Sequence, residues 1–224
     1  MTFSLIMLCL NELECLKVIL PRIKKEWVEE IIIVDGHSTD GSIEYAKELG
    51  FDVLLQKGIG PIAGYQEGIE AAKGDAVITF TPDGNMIPEK IPELVSKMKE
   101  GYDMVIVSRY APGAKSYDDT LVSGFGNWMF TKLVNSLYRC RYTDVLGFYR
   151  AFRKDLLQRL DLHGKIRITV DTQLCIRCAK RKMKVAEIPG DEPPRISGES
   201  YRSIIKNGCL ELFTIFEELF LRSP

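Results

Sequence analysis

The 224-residue chain has no excess of either charge, since 30 Lys and Arg stand against 31 Asp and Glu. A nucleic-acid clamp would carry a basic field and a disordered acidic segment the reverse, so both classes fall away and no nucleic acid is expected as a partner. Nowhere does an apolar run reach the roughly 18 to 20 residues that a membrane-spanning helix needs, so any contact with a bilayer is expected at its surface. Residues 1–10 carry no cleavable leader pattern, and six cysteines in a chain of this length make no disulfide framework. Reduced thiols and a cytoplasmic setting are the expectation. Cys175 and Cys178 lack a second Cys or His pair at zinc spacing and read as structural thiols. Neither an internal repeat nor a low-complexity tract is present.

What is present is the composition of a core-forming protein, 46% hydrophobic and 27% charged, enough for one domain with at most a short appendage. Apolar runs alternate between strand and helix patterns. Strands are predicted at Phe3 to Leu10, Ile31 to Val34, Phe51 to Leu55, Ala76 to Thr81, Asp103 to Ser108, Leu146 to Phe152 and Val185 to Ile188. Helices are predicted at Leu13 to Ile23, Ile43 to Leu49, Pro61 to Ala72, Pro88 to Lys99, Trp128 to Tyr138, Val170 to Lys182 and Ile204 to Leu221, with a loop from Tyr110 to Gly126. The β-branched Ile31 to Val34 run belongs at the centre of a sheet covered on both faces. This alternation predicts an α/β fold, Rossmann-like, with a largely parallel central sheet and helices on both faces. Charge is unevenly spread: residues 139–184 carry 13 basic and 4 acidic side chains. That excess is either a set of solvated helix faces or a cationic rim for an anionic partner.

In open α/β sheets ligands bind beyond the carboxyl ends of the strands, which directs attention to Asp35, Asp83 and Arg109. Asp35 suits a nucleobase edge or simply closes its turn. Asp40 and Ser42 have the character of helix caps, and His37 of a turn residue. Asp83 and Asn85, one residue apart, can aim two oxygens at a hard cation; a Pro-Asp-Gly turn is the competing reading. Gly58 to Gly64 follows the third strand and is interrupted by Pro61, so it is no dinucleotide fingerprint.

The ordered set Asn11-Glu12, Ile31 to Ser42, Gly58 to Gly68, Gly74-Asp75, Asp83 with Pro88-Glu89, Ser108-Arg109-Tyr110, Thr143 to Arg153 and Gly198-Glu199-Ser200 resembles the family 2 glycosyltransferases. The likeness is greatest to the dolichol-phosphate mannosyltransferase-like branch. It implies a GT-A fold, a nucleotide-sugar donor, inversion at the anomeric carbon and Mg²⁺ or Mn²⁺ on the donor diphosphate. By position it gives Asp35 to the nucleobase and Asp83 and Asn85 to metal and diphosphate. Two departures stand out: Gly36 follows Asp35 where relatives carry a second Asp, and Thr81 replaces the first Asp of an Asp-x-Asp motif. Asp171 lies where relatives carry an acid and is a candidate base for a hydroxyl acceptor, or a helix cap. A phosphate acceptor needs no base, and Arg109, Arg195 and Arg202 are then the candidate cations. Residues 1–200 are expected to form one GT-A-like catalytic domain and 201–224 a C-terminal amphipathic helical extension. Leu212, Phe213, Phe216, Leu219 and Phe220 share one side of that helix, for a polyprenyl-phosphate-bearing membrane on its inner face, for core packing or for a homodimer contact. A soluble hydroxyl acceptor, or sugar-nucleotide binding without catalysis, are the alternatives.

Overall fold

Seven strands make one mixed sheet in the order β3-β2-β1-β4-β6-β5-β7, in a computed structural model that describes residues 1–162, 165, 167–197 and 204–221. Strand β1 (Phe3–Cys9) pairs in parallel with β2 (Glu30–Asp35) and β4 (Ala76–Phe80), and β3 (Asp52–Leu55) lies beside β2. Strand β5 (Met104–Ser108) pairs in parallel with β7 (Val185–Pro189), while β6 (Arg150–Arg153) runs antiparallel between β4 and β5. The sheet is thus largely parallel, as its apolar runs imply. Successive side chains on β1 point to opposite faces, so Leu5 joins one core with Leu16, Leu94 and Met98, and Ile6 joins the other with Ile69, Val134 and Leu174. These partners come from α1 (Leu13–Ile19) and α4 (Ile91–Lys99) on one side and from α3 (Pro61–Ala71), α5 (Leu121–Tyr138) and α7 (Val170–Lys180) on the other. Helix α2 (Ser42–Glu48) follows β2, and the short α6 (Leu156–Arg159) follows β6. A Cβ on Gly68 would meet Ile6 Cγ2 at 2.6 Å and Val34 Cγ2 at 2.9 Å, so α3 lies this close to the sheet because no side chain stands there.

Three expectations are corrected and one set of alternatives is narrowed. Helix α1 stops at Ile19 and gives way to a 3₁₀ turn over Leu20–Arg22, where Pro21 has no N–H for a continued helix. The loop after Arg109 ends at Thr120, not Gly126: Thr120 and Ser123 cap each other reciprocally, with Ser123 N donating to Thr120 Oγ1 at 3.1 Å and Thr120 N to Ser123 Oγ at 2.8 Å. Gly124 and Gly126 sit inside α5 at a cost of about 1 kcal/mol each against Ala, which packing outweighs. Strand β6 begins at Arg150 and not at Leu146, because side chains claim the preceding carbonyls: Thr79 Oγ1 donates to Phe148 O at 2.5 Å and Arg150 Nε to Gly147 O at 2.9 Å. Finally α8 (Ile204–Phe220) turns Thr214, Ile215 and Glu218 toward α7 and α5, leaving Leu212, Phe213, Phe216, Leu219 and Phe220 exposed, so those five do not pack in this core. Glu218 pairs with Arg177 at 2.7 Å and Lys180 at 3.6 Å, and Glu217 with Arg167 at 2.6 Å. Part of the basic excess of residues 139–184 is therefore spent on holding α8.

Candidate active site

The first two strand ends are tied together by short polar side chains. Asp35 closes β2 at 1% exposure, and its carboxylate accepts from the amide and the hydroxyl of Ser38, each at 2.7 Å. Across the gap, Asn11 N donates to Ser38 Oγ at 2.8 Å, Thr39 N to Asn11 Oδ1 at 2.8 Å and Glu12 N to Ser42 Oγ at 3.0 Å. Asp40 accepts from Leu13 N at 2.9 Å, so the capping expected of it serves α1 as well as the start of α2. His37 sits at φ 69° with a ring nitrogen 2.8 Å from Gln56 O, a turn residue as expected.

The fourth strand end opens into an acidic cluster. Asp83 Oδ1 accepts from Thr81 Oγ1 at 3.1 Å and from Asn85 N at 3.2 Å, while Oδ2 faces Arg195 Nη1 at 3.2 Å. Arg195 reaches that point because Ile196 N donates to Asp83 O at 2.9 Å, over Gly84 at φ 99°. A Cβ on Gly84 would meet Ile196 Cγ1 at 2.7 Å, so the close approach requires glycine. The same guanidinium reaches Asp118 Oδ2 through Nε at 3.4 Å, and Asn85 Nδ2 donates to Asp118 Oδ2 at 2.8 Å. Glu12 lies near enough to feel this charge. Its pKa is raised above the ordinary carboxylate value by burial first, then by Asp83 and Asp40, with Cys15 and Arg195 working the other way.

Beside it, Arg109 at the end of β5 is clamped by the fully buried Asp144, through Nε at 2.7 Å and Nη2 at 2.9 Å, and its Nη1 reaches Glu192 at 3.2 Å. Burial raises the Asp144 pKa, but the Arg109 charge and hydrogen bonds outweigh it and hold the carboxyl below its ordinary value. Glu192 also accepts from Ser116 and, at 3.4 Å, from Asn85 Nδ2, which joins the two clusters. Glu187 accepts from the amides of Thr143 and Asp144 and so fixes the segment that carries Asp144.

Asp171 occupies the first turn of α7, where its carboxylate lies 3.3 Å from Nη2 of the wholly buried Arg150. Arg150 also donates to the carbonyls of Gly147 and Asp171. Tyr65 and Cys175 border the pair, and burial pushes the Cys175 thiol up to about 12, consistent with a structural thiol. Asp83, Asn85, Arg109 and Arg195 thus come together, Asp35 shapes the neighbouring turn, and Asp171 is bound up with Arg150. Arg202 and the Gly198-Glu199-Ser200 motif lie outside the described residues. Asp118, Asp144 and Glu192 are not singled out by the sequence; the visible hints are the doublet Asp118-Asp119 in a polar loop after Arg109 and the place of Asp144 within the Thr143 to Arg153 stretch.

A mixed sheet with one reversed strand, and acids gathered where its parallel strands end, is the architecture of a GT-A transferase. The family model described as Glycosyl transferase family 2 matches residues 4–161, and the chain belongs to that family. It is 28% identical over 218 residues to glycosyltransferase AglJ of Haloferax volcanii, spanning 95% of this chain and 69% of that protein. It is also 28% identical over 206 residues to an undecaprenyl-phosphate mannosyltransferase of Micrococcus luteus, spanning 86% of this chain and 84% of that one. Among solved structures it superposes on glucosyl-3-phosphoglycerate synthase of Mycobacterium tuberculosis, crystallised with Mg²⁺ and UDP, with a TM-score of 0.72 at 20% identity. That match covers 99% of this chain and 80% of the other and shows the shared GT-A fold.

Proposed function

We propose that the enzyme moves a sugar, with inversion, from a nucleoside diphosphate sugar to a polyprenyl phosphate at a membrane surface. The observation that carries the acceptor is an apolar stripe at the start of α5, three residues beyond Asp118. Leu121 is 95% exposed, and Val122, Phe125 and Trp128 on the same face are exposed beside it, with the Phe125 and Trp128 rings 5.7 Å apart. Relatives named for transfer to undecaprenyl phosphate support the same reading. Among the described residues no helix is long and apolar enough to cross a membrane, which suits docking by a surface patch. Exposed apolar side chains on α8 add to the apolar surface.

An acceptor phosphate is already anionic, so the chain's task is to hold it against an anionic donor and to stabilise the departing diphosphate. Arg195, at 32% exposure, can turn from Asp83 toward a phosphate oxygen, whereas Arg109 is held by Asp144 and positions the loop that leads to Asp118. Asp35 and its Ser38 turn would line the nucleobase end, and the Asn11-Glu12 segment would bridge it to Asp83. The donor set fits Mg²⁺ or Mn²⁺: Asp83 offers a carboxylate, Thr81 a hydroxyl, and Asn85 an amide oxygen buried without a hydrogen-bond partner. Among the described residues no three His, Cys, Asp or Glu side chains form a metal-holding group, so water, and the diphosphate once it is bound, would complete the shell. The bound ion would supply charge neutralisation at the leaving group.

Incubation with a panel of radiolabelled nucleotide sugars and undecaprenyl phosphate should yield label in the organic phase. Flotation with liposomes should fall more for Trp128→Ser than for a rise in salt, since several cations of residues 139–184 are already paired within the fold. Label passing only to a water-soluble hydroxyl acceptor, with no flotation, would overturn this reading and make Asp171 the base.

A further inference from the structure

We propose that Asp118, on the loop between β5 and α5, supplies the second carboxylate of a divalent-cation site completed by Asp83 and Asn85. Arg195 is the built-in counter-ion that the cation displaces. The proposal rests on the reading that this cluster receives a nucleoside diphosphate. Asp83 and Asp118 are far apart in sequence yet share two bridging side chains. One is Arg195, with Nη1 3.2 Å from Asp83 Oδ2 and Nε 3.4 Å from Asp118 Oδ2. The other is Asn85, whose backbone N lies 3.2 Å from Asp83 Oδ1 and whose Nδ2 lies 2.8 Å from Asp118 Oδ2.

The independent pointer to a ligand is Asn85 itself. It is 9% exposed, and its Oδ1 is buried with no hydrogen-bond partner. The amide cannot be turned to cure this, because Nδ2 already donates to Asp118 and to Glu192 Oε1 at 3.4 Å, and a flip would point oxygen at two carboxylates. What remains is a buried acceptor oxygen on a residue held between Asp83 and Asp118 by its two nitrogens, an acceptor that a hard cation satisfies.

Charge points the same way. Among the described residues, Glu12, Asp83 and Asp118 share the guanidinium of Arg195, since the neighbouring Arg109 is committed to Asp144 and Glu192. Arg195 touches each acid through one long contact and is partly exposed, so it can leave. Once it leaves, a divalent ion restores the balance, and the freed guanidinium is placed to meet phosphate. Thr81 Oγ1 lies 3.1 Å from Asp83 Oδ1, so an acid at position 81 would bring a carboxylate to the same ion by a local route.

The test is Mn²⁺ binding to the substrate-free protein, read from the loss of the free-ion signal in electron paramagnetic resonance, with folding checked by thermal melting. Asp118→Asn should weaken binding by about tenfold or more. Adding Thr81→Asp to Asp118→Asn should restore it, and Arg195→Gln in the parent protein should tighten it. No Mn²⁺ binding by the parent, unchanged binding by Asp118→Asn, failure of Thr81→Asp to rescue, or unchanged or weaker binding by Arg195→Gln would each overturn the proposal. Sugar transfer to undecaprenyl phosphate, assayed in parallel with EDTA, separates the two readings. Transfer that persists in EDTA without Mn²⁺ binding overturns the cation site and leaves the function standing, whereas Mn²⁺ binding with rescue but no lipid product does the reverse.

Discussion

Two Asp–Arg pairs in this protein have nearly equal separations and opposite consequences. Asp171 and Arg150 are 3.3 Å apart, and Asp83 and Arg195 are 3.2 Å apart. Arg150 is wholly buried, with its remaining donors on backbone carbonyls and buried sulfur, so its charge has no route to water and the pair is a fixed part of the core. Arg195 is partly exposed and shares itself between two acids, so water competes with both contacts. Distance alone does not separate a fixed pair from an exchangeable one; desolvation does. Breaking a buried pair leaves an uncompensated charge, whereas a partly exposed pair loses little that solvent cannot replace.

The largest test of that contrast is Arg150→Met, which takes the buried guanidinium away from Asp171 and should cost about 3 to 5 kcal/mol of stability in urea titration. A midpoint close to that of the parent would remove the distinction between the two pairs. Asp144→Asn should cost less, since Arg109 keeps Glu192 and some solvent, but with a pH signature. The folded pKa of Asp144 is depressed, so its contribution is present above the ordinary value of 3.8 and is lost as pH falls through the folded value. The stability gap between parent and variant should be level at neutral pH and close only in strong acid. Asp83→Asn should lower turnover by roughly 100-fold while shifting stability by less than about 1 kcal/mol. A loss of folding in step with activity would place Asp83 with the buried class. The smallest stability effect belongs to Arg195→Gln, within about 1 kcal/mol, detectable as a shift of a few degrees at most in the melting midpoint.

The fold was legible where apolar periodicity was unbroken. Ile31 to Val34 reads as a central strand and Ala76 to Thr81 and Asp103 to Ser108 as strands, and the strand ends at Asp35, Asp83 and Arg109 follow from them. Periodicity failed where side chains override the backbone pattern. Leu146 to Tyr149 alternates like a strand, yet Thr79 and Arg150 capture its carbonyls, and the glycines of α5 look like breaks until Thr120 and Ser123 cap the helix ahead of them. Which face of α8 is buried stays open in the sequence for a related reason. Five large apolar side chains outweigh Thr214, Ile215 and Glu218 in any sequence pattern, but Glu218 finds Arg177 and Lys180 on α7, and that ion pairing decides which face is buried.

By itself the sequence determined the α/β layering, because strand and helix periods are local properties of neighbouring residues, and it marked Asp83 and Asn85, whose spacing brings both oxygens to one turn. Only the tertiary structure decided that Asp118 and Arg195 join them, that Arg109 is spent on Asp144, and that Asp171 is locked to Arg150. Each of those pairings joins residues at least 21 positions apart in the chain, as the hydrogen bonds between Arg150 and Asp171 illustrate. No local pattern encodes such a pairing. Which acid meets which guanidinium is set by where the sheet order and the turn at Gly84 deliver the loops, and burial then decides whether the charge is fixed in place or free to exchange.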